Sequence, residues 1–337
     1  MLRTEELRKR IKFVEEFLME DYKQKHPKKE RDWRTQEQRI THEIKGAIRN
    51  IEPLVEEATS VIKVHREKGR EPELALKQKV IMLLLKELFD RSNRNMASML
   101  DLFSLLSGID VSYKTVERLY SDPEVELALH NLHVLMLKKK GVNKVDASAD
   151  GTGYSLTIKK NYADECARRK DKAKEAVKEE NKDKKERRLF AYSFKILDLK
   201  TWLYVAYGMS LKSEKNAFDK ASFMLSEIGI SLDTIRLDKY YSSASLVDSL
   251  KGVKVYILPK TNASVKGSLK WKKTMEEYVC NTYSYLEEYF KRENSESGFA
   301  QDKKWTGWKV EQRREDRIDT AIFCSNLWHN MFNMHRS

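Results

Sequence analysis

The sequence predicts two unlike parts. Residues 1–140 read as an all-α region, and residues 141–337 as an α/β domain with a mixed five-stranded sheet flanked by helices. Three observations carry this. Before residue 140, apolar side chains recur at three- and four-residue intervals and no alternating stretch competes with them. After Gly141, short runs rich in β-branched and aromatic residues are interleaved with helical segments in the order β-β-β-α-β-α-β-α. Five prolines and twelve glycines in 337 residues are few, which favours long helices and short connections.

In the first part, Leu7, Ile11, Val14 and Leu18 form one helical stripe. A second helix is expected over about 35–68, interrupted near Pro53, and a third over about 73–89. Residues 94–121 are more specific. A helix over about 95–106 would bury Met99, Leu102 and Leu106, Gly108 would turn the chain, and Ser112 would cap a second helix with Val116 and Leu119 facing inward. Tyr113, Lys114 and Arg118 then point outward near its start. This is the helix-turn-helix pattern, in which such residues meet DNA, although an ordinary αα-hairpin has the same outline.

In the second part, KVDASADGTGYSLTI (144–158) reads as a strand. RLFAYSFKILDL and TWLYVAYGMSL read as a hairpin broken at Asp198–Lys200. A helix over 214–228 precedes the strand TIRLD, which ends at Asp238. Another helix precedes VKVYILP (253–259), and a long helical region runs to the end. Between the first two strands, residues 159–188 are mostly charged, either a solvated excursion or a grip on a DNA backbone.

Lys and Arg outnumber Asp and Glu by 65 to 52, a formal charge of +13. That balance suggests an anionic partner, nucleic acid most economically, with a lysine-rich surface as the plain alternative. Cys166, Cys280 and Cys324 are far apart and without metal-ligand spacing, so neither a disulfide framework nor structural zinc is implied. The opening MLRTEELRKR is charged from its third residue, and the longest apolar run, Val80–Leu85, is far too short for a bilayer. A cytoplasmic protein without a membrane segment is expected.

An α/β sheet places its ligand at the carboxyl ends of its strands. Asp150 lies in the first strand and Asp238 closes the fourth, and a charge inside an apolar strand is costly unless paired or metal-bound. Asp146 is the alternate for Asp150, with the same strand parity. Tyr289, Arg292, Glu296 and Lys303 fall within roughly 60° on one helix face at 100° per residue. In an RNase H-like topology the first and fourth strands are neighbours and a following helix brings Glu296 across. Three carboxylates would then hold two Mg²⁺ ions, a hard-oxygen site suited to phosphoryl transfer. Arg292 and Lys303 would hold phosphates, and Tyr289 would donate to a phosphate oxygen or stack.

These residues resemble the DDE transposases of prokaryotic insertion sequences, and more narrowly the branch with the signature Y-x2-R-x3-E-x6-K. Tyr289, Arg292, Glu296 and Lys303 match that spacing completely. Asp150-Gly151-Thr152 resembles the context of the family's first aspartate, and Asp238 ahead of Tyr240 that of its second. The resemblance spans Lys144 to the C-terminus, while the helical part carries no signature of its own. It implies Asp150, Asp238 and Glu296 as the catalytic metal ligands, with two Mg²⁺ ions or Mn²⁺ in their place. It also implies double-stranded DNA as partner, both the element's terminal inverted repeats and the target, and a homodimer assembled on that DNA. Cleavage would free a 3′-OH that attacks target DNA. Two departures stand out: only 57 residues lie between Asp238 and Glu296, where members of this branch often carry a large β-rich insertion, and Lys239 follows the second aspartate where a small residue is more usual.

Near the C-terminus, Ala321, Phe323, Leu327, Trp328 and Phe332 read as core, and Arg313, Arg314 and Arg317 as a basic face. Trp305 and Trp308 either pack or stack on a displaced base. His329 beside its aromatic cluster reads as structural. A structure-specific nuclease on the same fold would cut without joining and would not need the companions of Glu296. A non-catalytic DNA-binding regulator would not need the three carboxylates.

Overall fold

The computed structural model describes residues 2–27, 32–63, 74–89, 111–156 and 190–334. The first of these segments is a nearly continuous rod of α1 (Thr4–Phe13), a π-helical turn (Val14–Leu18) and α2 (Met19–Lys25). Leu7, Ile11 and Val14 are buried. The rod lies on the α/β part: Arg8 donates to the backbone oxygens of Asn262 and Ala263, and Tyr22 stacks on Phe290 at 4.4 Å.

Helix α3 (Trp33–Ser60) starts on Asp32, whose carboxylate accepts from the backbone of Arg34 and Thr35. It runs straight through Pro53, where an interruption was expected. The proline removes one backbone donor, but Ile51, Leu54, Val55 and Ala58 are buried on either side of it and hold the helix together. Helix α4 (Leu76–Leu88) follows. Helix α5 (Tyr113–Leu119) is capped by Ser112 and buries Val116 and Leu119, as the sequence predicts. The helix expected over 95–106, and with it the rest of the helix-turn-helix, lies outside the described residues, as does the charged stretch 159–188. Helix α6 (Pro123–Lys139) begins with Asp122 as cap and proline in its first turn, the position that tolerates a missing donor.

The sheet contains β1 (Lys144–Leu156), β2 (Phe190–Asp198), β3 (Tyr204–Ser210), β4 (Ser231–Leu237) and β5 (Lys254–Ile257) in the order β3-β2-β1-β4-β5. The β1–β2 and β2–β3 pairs are antiparallel, and β1–β4 and β4–β5 are parallel. The sheet is not five-stranded. Lys309–Val310, inside the region read as helical, forms β6 and pairs in parallel with Ser155–Leu156 at the end of β1. Beyond Ser148 the pairing of β1 with β4 ceases, and that free edge is where a two-residue strand can add.

Helix α7 (Glu214–Ile228) packs across β2 and β3. A single 3-10 turn (Lys239–Tyr241) and α8 (Ala244–Ser249) link β4 to β5. Then come α9 (Leu269–Cys280), α10 (Thr282–Phe290), α11 (Glu293–Thr306) and α12 (Glu315–Asn333). Helix α12 is buried on nearly every side and packs against α3, α4, α6 and β3, so the helical part and the sheet share one core. Trp328 at its centre donates from its indole to the backbone oxygen of Leu84 at 2.7 Å. Among the described residues no helix is long and apolar enough to cross a membrane.

Candidate active site

The parallel register of β1 and β4 brings two of the predicted acids to one place. Ser148 pairs with Arg236, so Asp150 and Asp238 each lie two residues further toward the carboxyl end. Asp150 is inside β1; Asp238 lies one residue past β4, where its carboxylate caps the 3-10 turn by accepting from Tyr240 N at 2.8 Å. Asp146 is engaged otherwise: it accepts from Arg236 at 2.6 Å and from the hydroxyl of Thr234, next to an irregularity in the β1–β4 register. Lys239 ion-pairs with Glu15 in the π-helical turn, which accounts for a lysine after the second aspartate.

The third acid arrives on α11. The stripe predicted on one helix is split: α10 ends at Phe290, and Arg292 is the residue preceding α11. The chain turns at Lys291 and Arg292 because β1 pins it there. The buried Ser148 hydroxyl donates to the backbone oxygen of Arg292 at 3.1 Å and hydrogen-bonds the hydroxyl of Ser295. Gly298 lies inside an unbroken α11. A Cβ there would stand 2.9 Å from the Tyr204 hydroxyl, so glycine serves close approach rather than a kink.

Arg292 sits at the centre. One terminal nitrogen lies 2.5 Å from Asp150 Oδ2, and the other lies 2.8 Å from Glu296 Oε1 and 3.6 Å from Asp238 Oδ2. Three carboxylates from three elements thus meet one guanidinium. Asp150 is nearly buried, Asp238 half-buried and Glu296 exposed. Burial pushes the Asp150 carboxyl up to about 6, with Asp238 and Glu296 adding to the rise and the Arg292 guanidinium and Gly151 N–H opposing it. Burial would lower the Arg292 pKa, but Tyr289 and the three carboxylates outweigh it and hold the guanidinium above its ordinary value. Tyr289 is buried, its ring 5.9 Å from the Arg292 guanidinium carbon, and burial pushes its phenol up to about 12.

Lys303 reaches β1 further along, donating to Thr152 Oγ1 at 2.8 Å. Burial, and then repulsion from Lys195, lowers its pKa. The two tryptophans part ways. Trp305 packs against Phe332, whereas Trp308 is 64% exposed, with the Lys303 ammonium 4.7 Å above its ring. Tyr113, Lys114 and Arg118 are exposed on α5, a different element from the carboxylates. In the expected basic face, Arg313 is exposed, Arg314 pairs with Asp316 and Arg317 with Glu117.

Several supporting residues escaped the sequence reading. Arg236 is buried and joins β4 to β1 and α10 through Asp146 and Glu288, next to Tyr289. Lys195 and Asp302 form a buried pair that Tyr204 and His329 complete. Glu214 rests against Gly151 and accepts from the Tyr241 hydroxyl. The available signal was a basic residue inside an apolar strand, as in FAYSFKIL and TIRL.

As a donor set, three carboxylates without a soft ligand suit a hard divalent cation. Their spacing, however, is set by the guanidinium among them. Among the described residues no group of three or more Asp, Glu, His or Cys side chains is disposed to hold a metal as it stands.

The chain is 42% identical over 320 residues to the probable transposase for insertion sequence element ISA1214 of Archaeoglobus fulgidus, covering 95% of this chain and 92% of that protein. No protein-family model and no solved structure matches it.

Proposed function

The chain belongs to the transposases of insertion-sequence elements, and on that premise we propose that it is a DDE enzyme whose RNase H-like domain cuts and joins DNA with Asp150, Asp238 and Glu296. One observation carries the reading: carboxylates from β1, the end of β4 and α11 all contact the single guanidinium of Arg292. Nothing in the local chain requires that convergence, because the first two acids are 88 residues apart in sequence and the third is 58 further on.

The three carboxylates would hold two Mg²⁺ ions, Mn²⁺ substituting, which when bound acidify the attacking hydroxyl and stabilise the departing oxygen. The protein's own residues bind and orient. Arg292 offers a planar fork to a phosphate, Lys303 a point charge about two helical turns beyond Glu296, and Thr152 a hydroxyl beside it. In the first reaction a water oxygen attacks phosphorus at the element's end, the phosphorus–3′-oxygen bond breaks, and the leaving oxygen takes a proton. In the second, the freed 3′-OH attacks a target phosphodiester. One phosphorus–oxygen bond forms as another breaks, and the proton of the attacking hydroxyl passes to the leaving one. Helix α5, with Tyr113, Lys114 and Arg118, is the proposed reader of the terminal inverted repeats, acting within a helix-turn-helix. Two ends cut and joined together call for a homodimer on DNA, working in the cytoplasm.

The test is Asp238→Asn. Cleavage of element ends in Mg²⁺ should disappear while binding of a terminal-repeat duplex is kept. Cleavage that persists in the variant removes Asp238 from the site. Cleavage without joining in the unaltered protein would favour a nuclease instead.

A further inference from the structure

We propose that Arg292 is an internal counter-cation that keeps the carboxylate group closed to divalent metal until a DNA phosphate draws the guanidinium away, so that DNA binding favours metal loading. The proposal rests on Asp150, Asp238 and Glu296 being the metal-binding group.

The contacts compete with a metal. Arg292 holds Asp150 Oδ2 and Glu296 Oε1 and lies 3.6 Å from Asp238 Oδ2, while the other oxygen of each aspartate already accepts a backbone N–H, from Gly151 and from Tyr240. The guanidinium has a reason to stay there in the absence of DNA. Three like charges converge, one of them nearly buried, and a site with that much negative charge needs a cation. It also has a means of leaving. Its backbone is fixed, since Ser148 holds the Arg292 carbonyl, so motion is confined to the side chain. Its buried Nε has no hydrogen-bond partner, and Glu296 at its outer end is exposed. A phosphodiester also offers two acceptor oxygens to the guanidinium fork, so the side chain can exchange its separate bonds to Asp150 and Glu296 for a pair to one phosphate. Lys303 is already turned toward a neutral hydroxyl rather than toward the acids, which leaves a second cation beside the same cleft for the incoming phosphate.

Such coupling is reciprocal: if a phosphate raises metal affinity, bound metal raises DNA affinity by the same factor. An arginine here would therefore oppose metal capture by the free protein.

The experiment is Mn²⁺ binding to the full chain without DNA, followed by the resonance signal of free Mn²⁺, with thermal melting as a check on folding. Arg292→Gln should bind Mn²⁺ at least about tenfold more tightly than the unaltered protein. Arg292→Lys, which keeps the charge but cannot span three acids, should fall between and serves where the glutamine variant does not fold. The gain should vanish in Arg292→Gln/Asp238→Asn. Equal or weaker Mn²⁺ binding by the folded Arg292 variants overturns the counter-cation role. If in that case Asp238→Asn still abolishes the binding seen in the unaltered protein, the carboxylate site itself stands. A gain that survives the added Asp238→Asn means that the metal sits elsewhere, and overturns both.

Discussion

Lys195 Nζ lies 2.7 Å from Asp302 Oδ2, and both side chains are sealed from solvent. Lys195 stands opposite Asp150 in the β1–β2 register, and Asp302 immediately precedes Lys303 on α11. The pair therefore fastens the helix bearing Glu296 and Lys303 to the strand beside Asp150. Tyr204 Oη donates to the same Asp302 oxygen at 2.8 Å, and His329 Nδ1 lies 2.7 Å from the other. Burial would raise the Asp302 pKa, but Lys195 and His329 outweigh it and hold the carboxyl down to about 2.

Asp302→Ala should therefore cost about 3–5 kcal/mol, because it strands a buried ammonium. Replacing both partners, as Lys195→Met/Asp302→Leu, should cost distinctly less than Asp302→Ala alone. Denaturant unfolding of the three proteins checks this. A double variant less stable than Asp302→Ala would show that the pair itself supplies the stability.

His133 on α6 gives a pH dependence of defined sign. Its Nε2 donates to Val205 O at 3.1 Å, Nδ1 faces the amide of Asn330, and burial pushes its pKa down to about 4. The neutral ring is thus the folded form. The stabilisation is complete above the unfolded value of about 6.5 and is lost as pH falls from there toward about 4, by up to roughly 3 kcal/mol. Unfolding free energies measured at several pH values should fall along this slope. His133→Gln should flatten it, and an unchanged slope would assign the acid sensitivity to other groups.

Gly151→Ala should disturb the site through Glu214. A Cβ at position 151 would stand 2.1 Å from Glu214 Oε1, forcing that carboxylate off Gly151 and away from the Tyr241 hydroxyl it now accepts from. A loss of about 1–3 kcal/mol is expected. Adding Glu214→Ala to Gly151→Ala should recover the loss attributable to the clash. Thermal melts of the two single variants and the double variant close the cycle, and strict additivity would show that the two residues do not interact.

Lys114→Ala and Arg118→Ala should each weaken binding of a terminal-repeat duplex, since both side chains are exposed on α5. A residue that contacts a phosphate should also lower the salt dependence of binding by about one unit of slope. Binding and slope unchanged in both variants would move the recognition surface elsewhere.

The sequence by itself determined what the chain's local physics can express. Periodicity was enough to read α7 over 214–228 and to find the five main strands, and Ser112 was legible as a cap because capping is a contact between near neighbours. The spacing of Tyr289, Arg292, Glu296 and Lys303, with Asp150 in DGT and Asp238 after a short strand, singled out three acids that do come to one guanidinium. Only the tertiary structure decided the rest, because it depends on groups far apart in the chain. Pro53 stays inside a helix because buried neighbours hold α3 together. The stripe divides at Arg292 because Ser148, on β1, fixes that carbonyl. Two residues at 309–310 become a strand because β1 leaves them a free edge. The guanidinium that the spacing puts on the face of Glu296 also reaches Asp150 and Asp238, which the spacing does not express. A charge settles where the summed field of its neighbours is most favourable, and that sum exists only once the chain has folded.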